Sequence, residues 1–318
     1  MDQPPVYEHL LRRGMTRRRF LGLCSAMAAW MALPDVPPMV RPSEARQALA
    51  GTRIRRSVAR ALQTQPRLPV VWMAFQDCAG CTESLLRSSD PLVSALLLDV
   101  LALEYHETLS AAAGHALESH RQHVLERFAG QYLLVVEGSV PVGAGRSCCA
   151  VGGRGAHELL EEAAAGAAAV LAVGNCAAFG GLPAAAPNPT GALGVRAAWP
   201  VPDTPLATVP GCPAIPEVAA GVLAHYFTFG HFGELDLLGR PLAHYGATVH
   251  EGCPRRPHFR DGEFAASFDD PAARAGWCLY QLGCRGPTTY NACATRKWGA
   301  GLSFPVESGH PCLGCSEP

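Results

Sequence analysis

Leu68-Pro-Val-Val-Trp-Met-Ala-Phe75, followed at once by Gln76-Asp77-Cys78-Ala-Gly-Cys81, decides the fold. The first eight residues form a continuous apolar run rich in β-formers, the pattern of a strand buried on both faces. Thr82 is placed to cap a helix directly after the cysteine pair. Tyr132–Val136 is a second such run, Val170–Val173 a third, and Leu206–Val209 a weaker fourth. Ala156–Ala169 and Pro216–Phe229 read as helices, the latter with Pro in its first turn. Strands alternating with helices predict an α/β protein with a doubly wound parallel sheet covered on both faces.

In such sheets ligands bind beyond the carboxyl ends of the strands. Cys78 and Cys81, Cys176 and Cys212 each follow a strand closely, so they should converge there although 134 positions separate the first from the last. From about residue 245 the periodic pattern fades into Gly, Pro, Arg and Cys. Two further groups of donors lie in this tail: His250-x2-Cys253 with Cys278 and Cys284, and Cys293 with Cys312-x2-Cys315. Thiolates select iron–sulfur clusters or zinc. Metal ligation would supply folding energy that a tail so poor in apolar residues lacks. Three thiolates suit a three-iron cluster, or a four-iron cluster with a foreign ligand. Cys148 and Cys149 have no matching second pair and read as non-ligands packed near the sheet edge. Two other chemistries fit the same cysteines. Cys78-x2-Cys81 between strand and helix, with Trp72 nearby, suits a thiol–disulfide oxidoreductase. The remaining pairs suit a zinc-stabilised binding protein.

Thirteen cysteines in 318 residues are too few for a small disulfide scaffold and many for an ordinary enzyme. Residues 1–61 carry eleven of the 26 basic residues and four of the 27 acidic ones. That leaves 15 and 23 in residues 62–318, a net charge of −8. So acidic a body argues against a nucleic-acid partner. Thr16-Arg17-Arg18-Arg19-Phe20-Leu21 followed by apolar Phe20–Leu33 reads as a twin-arginine export signal, too short to span a bilayer. A buried N-terminal helix is the competing reading. Cleavage is expected after Ala50 or Ala61, and Cys24 falls within the signal. Twin-arginine export moves folded proteins, which fits clusters assembled before export into the periplasm.

Across nearly the whole mature chain the motifs resemble those of the small subunit of periplasmic, uptake-type nickel–iron hydrogenases. They include Asp77-Cys-Ala-Gly-Cys-Thr-Glu-Ser84, Tyr105-His-Glu-Thr108, Glu137-Gly-Ser139, Pro187-Asn-Pro-Thr-Gly191, Pro210-Gly-Cys-Pro213, His250-Glu-Gly-Cys-Pro254 and Gly309-His-Pro-Cys-Leu-Gly-Cys315. The resemblance implies a signal over 1–61, with Leu62 as the mature start. A flavodoxin-like domain over 62–244 would follow, then a largely irregular iron–sulfur domain over 245–318. It implies a proximal [4Fe-4S] cluster on Cys78, Cys81, Cys176 and Cys212, and a distal [4Fe-4S] cluster on His250, Cys253, Cys278 and Cys284. A medial [3Fe-4S] cluster on Cys293, Cys312 and Cys315 would sit between them, with Pro305 where some relatives have a further cysteine.

The nickel–iron centre would lie in a large partner subunit, and electrons would leave near His250 for an acceptor such as a cytochrome. Oxygen-tolerant relatives carry extra cysteines at the positions of Gly80 and Gly181, so the resemblance implies an ordinary, oxygen-sensitive proximal site. Asp77 and Asn175 also depart from the residues usual there. Nothing after the signal is apolar enough to span a bilayer. The chain ends three residues after Cys315, which leaves open whether a C-terminal anchor belongs to it.

Overall fold

The computed structural model describes residues 3–31, 44–88, 93–199 and 204–318. Five strands form one parallel sheet: β1 (Leu68–Ala74), β2 (Leu101–Tyr105), β3 (Leu133–Glu137), β4 (Ala169–Val173) and β5 (Leu206–Val209). Their order is β2-β1-β3-β4-β5, the flavodoxin-like arrangement. The apolar pattern of the sequence does not single out β2. It is an edge strand with one partner, β1, and its Leu-Ala-Leu-Glu-Tyr is only partly buried. The helix expected over Ala156–Ala169 stops at Ala165, because Gly166 ends it and Ala169 already begins β4.

Successive side chains on a strand point to opposite faces. Val70 and Trp72 therefore enter one core, with Leu133, Val135 and Leu171, while Val71 and Met73 enter the other, with Leu134 and Val136. Helices α1 (Val6–Arg12), α2 (Arg17–Met31) and α3 (Glu44–Thr64) lie on the first face. Helix α4 (Gly80–Leu86) follows β1. Helices α5 (His115–Arg127) and α6 (Ala156–Ala165) cover the second face through Leu117, Val124, Leu159 and Leu160. Helix α7 (Gly174–Phe179) follows β4, and α8 (Pro216–Phe229) returns to the first face.

Helix α8 is buried nearly all round. It packs on the sheet and also against α2, the segment whose sequence reads as an export signal. Phe20, Leu23, Met27 and Trp30 of α2 are buried in the same core. The Trp30 carbonyl accepts from the Arg296 guanidinium at 3.2 Å. Gly221 permits this approach, since a Cβ there would lie 2.6 Å from that oxygen. Residues 32–43, which include the end of the apolar run, lie outside the described residues. Both expected cleavage points fall within α3, and Ala61 and Leu62 are buried. Cleavage after Ala61 therefore requires α3 to unwind locally. No helix of the described residues is long and apolar enough to cross a membrane.

From residue 245 onward the backbone forms only short helices such as Arg256–Arg260 and Pro271–Arg274, turns and isolated bridges. Its buried apolar core is Val249, Ala265, Leu279, Phe304 and Val306, with Cys253, Cys284, Cys293 and Cys312 packed against it. So small a core leaves the segment dependent on other bonds.

His244 lies buried beside α8, and burial, then the Arg296 and His225 charges, push its pKa down to about 3. The unfolded chain, with an ordinary imidazole near 6.5, takes up a proton that the folded chain refuses. Stability is thus fully present above pH 6.5 and falls as the pH drops towards 3. We predict that the stability gap between wild type and His244→Gln changes by about 1.4 kcal/mol per pH unit below 6.5. Denaturant unfolding at pH 7, 6 and 5 checks this. A pH-independent gap would mean that His244 takes up its proton over the same range in the fold as in the unfolded chain.

Candidate metal centres

The carboxyl edge of the sheet places the first donor group. Cys78 and Cys81 follow β1, Cys176 sits in the first turn of α7 after β4, and Cys212 follows β5. Their thiols are mutual electrostatic neighbours: Cys81 with Cys176 and Cys212, Cys176 with Cys78, and Cys212 with Cys78. Burial drives the Cys81 thiol well above its ordinary pKa, with the charges of Glu137, Cys176 and Cys212 adding to the effect. Cys78 and Cys212 are exposed, so this site opens on the surface.

Three glycines leave the space these sulfurs use. A Cβ at Gly80 would lie 3.0 Å from the Cys78 sulfur, one at Gly174 2.4 Å from that of Cys81, and one at Gly181 2.7 Å from that of Cys176. Gly174 also has φ +85°, which L side chains rarely adopt. We therefore expect Gly174→Ala to displace Cys81 and lower the iron content of the purified protein. Full iron in that variant would show that the cradle yields.

Thr82 does not cap α4. Its hydroxyl donates to the Glu137 carboxylate at 2.5 Å. Glu137 itself, at the end of β3 and 2 % exposed, accepts the backbone N–H groups of Cys81 at 2.8 Å and Thr82 at 3.0 Å. A carboxylate from a neighbouring strand thus satisfies the first turn of α4, where helical N–H groups lack partners. The Glu-Gly-Ser motif in the sequence marks this residue without giving it a role. His106 completes the network. Its Nδ1 accepts from the Thr108 backbone and its Nε2 donates to Thr82 Oγ1 at 3.1 Å. Burial pushes its pKa down to about 4, so the ring is neutral at pH 7. Asp77 is raised by burial and by Glu137.

The other two groups lie in the C-terminal segment. His250, Cys253, Cys278 and Cys284 all line one small cavity of 10 Å³. The His250 ring meets Phe259 edge-on at 4.7 Å, and half-exposed Tyr280 closes the same wall. Cys293, Cys312 and Cys315 line a second cavity of 140 Å³. Pro305 lines it too and offers no donor. Burial pushes the Cys293 thiol up to about 12.

Backbone N–H groups point at the sulfurs: Ala214 at Cys81, Leu182 at Cys176, Arg255 at Cys253 and Tyr280 at Cys278. Such donors stabilise cluster-bound thiolate and tune its potential. Among the described residues, no three His, Cys, Asp or Glu side chains gather closely enough to hold a single metal ion. Cys148 is exposed, while Cys149 packs against the core formed by α5 and α6; neither joins a group. None of the thirteen cysteines, all of which lie among the described residues, is joined in a disulfide.

A flavodoxin-like sheet with thiols at its carboxyl edge, extended by a cysteine-rich segment, defines an oxidoreductase subunit that carries electrons. Residues 245–318 match the family of the C-terminal region of NiFe/NiFeSe hydrogenase small subunits, and residues 78–226 match the family of the 20 kDa subunit of NADH ubiquinone oxidoreductase. The chain is 45 % identical over 316 residues to the hydrogenase-1 small chain of Citrobacter freundii, covering 99 % of this chain and 79 % of that one. It is 43 % identical over 311 residues to the uptake hydrogenase small subunit of Azotobacter vinelandii, covering 98 % and 82 %. The crystal structure of the reduced, active Ni-Fe-Se hydrogenase from Desulfomicrobium baculatum superposes with a TM-score of 0.74 at 37 % identity, over 79 % of this chain and 95 % of that one. The chain belongs to the nickel–iron hydrogenase small-subunit family.

Proposed function

We propose that this chain relays electrons from hydrogen oxidation in a large partner subunit, through three iron–sulfur clusters, to an external acceptor. The observation that carries this reading is the gathering of eleven donors, far apart in sequence, into three adjoining sites. The residues present fit the clusters named for them: Cys78, Cys81, Cys176 and Cys212 for the proximal [4Fe-4S], Cys293, Cys312 and Cys315 for the medial [3Fe-4S], and His250, Cys253, Cys278 and Cys284 for the distal [4Fe-4S]. Bound there, the clusters supply one-electron redox chemistry. The nickel–iron centre belongs to the large subunit, and the exposed edge of the proximal site is where electrons would enter. This chain's own residues set the relay's terms. Glycines make room for the sulfurs, backbone N–H groups aim at them, and buried Glu137 fixes the turn that bears Cys81. Neutral His250 in place of a thiolate removes one negative charge from the distal site and raises its potential.

The twin-arginine pattern supports export to the periplasm as a folded protein, with an acceptor such as a cytochrome meeting the His250 edge. Gly80 and Gly181, in place of added cysteines, support an oxygen-sensitive enzyme. Sustained hydrogen oxidation in air would overturn that last point.

The deciding experiment is iron, acid-labile sulfide and zinc analysis of the anaerobically purified heterodimer. We expect about eleven iron and twelve sulfide in this chain, the sum of one three-iron and two four-iron clusters. Stoichiometric zinc without iron would make the chain a zinc protein. Absence of both metals from protein kept strictly anaerobic would favour thiol–disulfide chemistry.

A further inference from the structure

The three donor groups adjoin one another through their own ligands. Cys212 and Cys315 line one cavity, with the Cys212 backbone N–H on the side of the Cys315 sulfur, which brings the three-cysteine site against the four-cysteine site at the sheet edge. The Cys284 sulfur accepts from the Cys312 backbone N–H at 3.3 Å, which links the three-cysteine site to the His250 site. The cavities agree. Cys212 lines the wall of the three-cysteine cavity, and Val249 and Val306 line both that cavity and the one at His250.

Two buried side chains hold the first of these links from either side. Tyr245, 2 % exposed, donates its hydroxyl to the Pro210 carbonyl at 2.8 Å, two residues before Cys212. Arg240, 4 % exposed, donates to the Ser316 carbonyl at 3.2 Å, one residue after Cys315, and to Glu317 at 2.9 Å. Its Nε donates to Asp236 at 2.7 Å. The guanidinium lies between the Tyr245 and Tyr290 rings, 5.8 and 5.4 Å from their centroids. One side chain therefore fixes the backbone beside Cys212, the other fixes the backbone beside Cys315, and the two pack on each other.

Resting on the ligand assignment above, we propose that the approach of the Cys212 backbone to the Cys315 sulfur and the Cys312 N–H···Sγ Cys284 bond are the two crossings of the electron relay, with Tyr245 and Arg240 as positioning residues for the first. In the first crossing one electron, supplied by hydrogen oxidation in the partner, leaves the four-cysteine site, which is oxidised. It arrives at the three-cysteine site, which is reduced, and no bond to a heavy atom forms or breaks. Tunnelling through a bonded path falls steeply when a hydrogen bond opens into a through-space gap. An N–H···S bond also withdraws charge from the sulfur, so its loss lowers the potential of the site it serves.

The test uses the complete heterodimer with Tyr245→Phe, which removes only the hydroxyl, and Arg240→Lys, which keeps the charge but loses the forked geometry. Iron and sulfide are measured first. In both variants we expect full iron. We also expect a several-fold slower appearance of the reduced three-cysteine site in freeze-quench EPR after hydrogen is added, and a lower midpoint potential for that site. In ²H₂O-exchanged enzyme, the deuteron coupling at that site should weaken. Wild-type rate, potential and coupling in both variants would overturn the proposal. Loss of iron from Tyr245→Phe would also overturn it, since the hydroxyl would then be a folding contact. A wild-type protein without iron would sink the ligand assignment itself, a failure visible before any variant is compared.

Discussion

Replacing Cys176 by Ser is expected to remove the proximal site and with it the whole relay. Cys176 sits in the first turn of α7, among the other three thiols of its group. A serine hydroxyl is a harder, weaker donor than thiolate and does not deprotonate readily at neutral pH, so a cluster of soft iron–sulfur chemistry loses one of four anchors. We expect about four of about eleven irons to be lost and hydrogen-driven dye reduction by the heterodimer to fall to background. The other two sites should stay loaded, because their donors belong to a different stretch of chain. Iron analysis with EPR of the three-cysteine site reads both halves of this expectation. Full iron in Cys176→Ser would take that residue off the ligand list.

The second large effect is on stability. Glu137 is a buried carboxylate whose partners are the Cys81 and Thr82 backbone N–H groups and the Thr82 hydroxyl. Glu137→Ala leaves these donors buried without an acceptor and opens a void at the end of β3. Hydrogen bonds to a charged group and the cost of orphaned donors together amount to about 3 kcal/mol. For a chain of this size that lowers Tm by about 4–6 °C. Glu137→Gln keeps the volume and one oxygen acceptor, so it should recover part of the loss. Thermal unfolding of the two variants side by side separates the charge from the packing. Equal Tm for wild type and Glu137→Ala would show that Thr82 or solvent caps α4 instead.

Much of this architecture is legible in the chain. β1, β3, β4 and β5 stand out because a strand covered on both faces must be apolar throughout, and short apolar runs between Gly and Pro have few other homes. β2 does not, because Glu104 breaks its apolar run, and its Leu-Ala-Leu-Glu-Tyr continues smoothly out of the helical turn Ala95–Val100. Thr82 looks like a cap because capping preferences are local. Its actual partner, Glu137, lies 55 residues away on a neighbouring strand. The twin-arginine segment shows the same limit from the other side. Its pattern reads as an address, while the structure seats Phe20, Met27 and Trp30 of that segment against α8.

The sequence by itself determined which residues can ligate metal and how they divide into groups. Donor softness belongs to the side chain, and pairs such as Cys78 and Cys81 or Cys312 and Cys315 are held together by the local backbone. Only the tertiary structure decided the contacts between the donor groups, the Glu137 cap and the clamp of Tyr245 and Arg240. Those depend on where the parallel sheet brings the ends of β1, β3, β4 and β5 together, and on the tail folding back until Cys315 meets Cys212. No spacing in the sequence encodes such meetings, because contacts between distant residues are fixed by the packing of the whole chain.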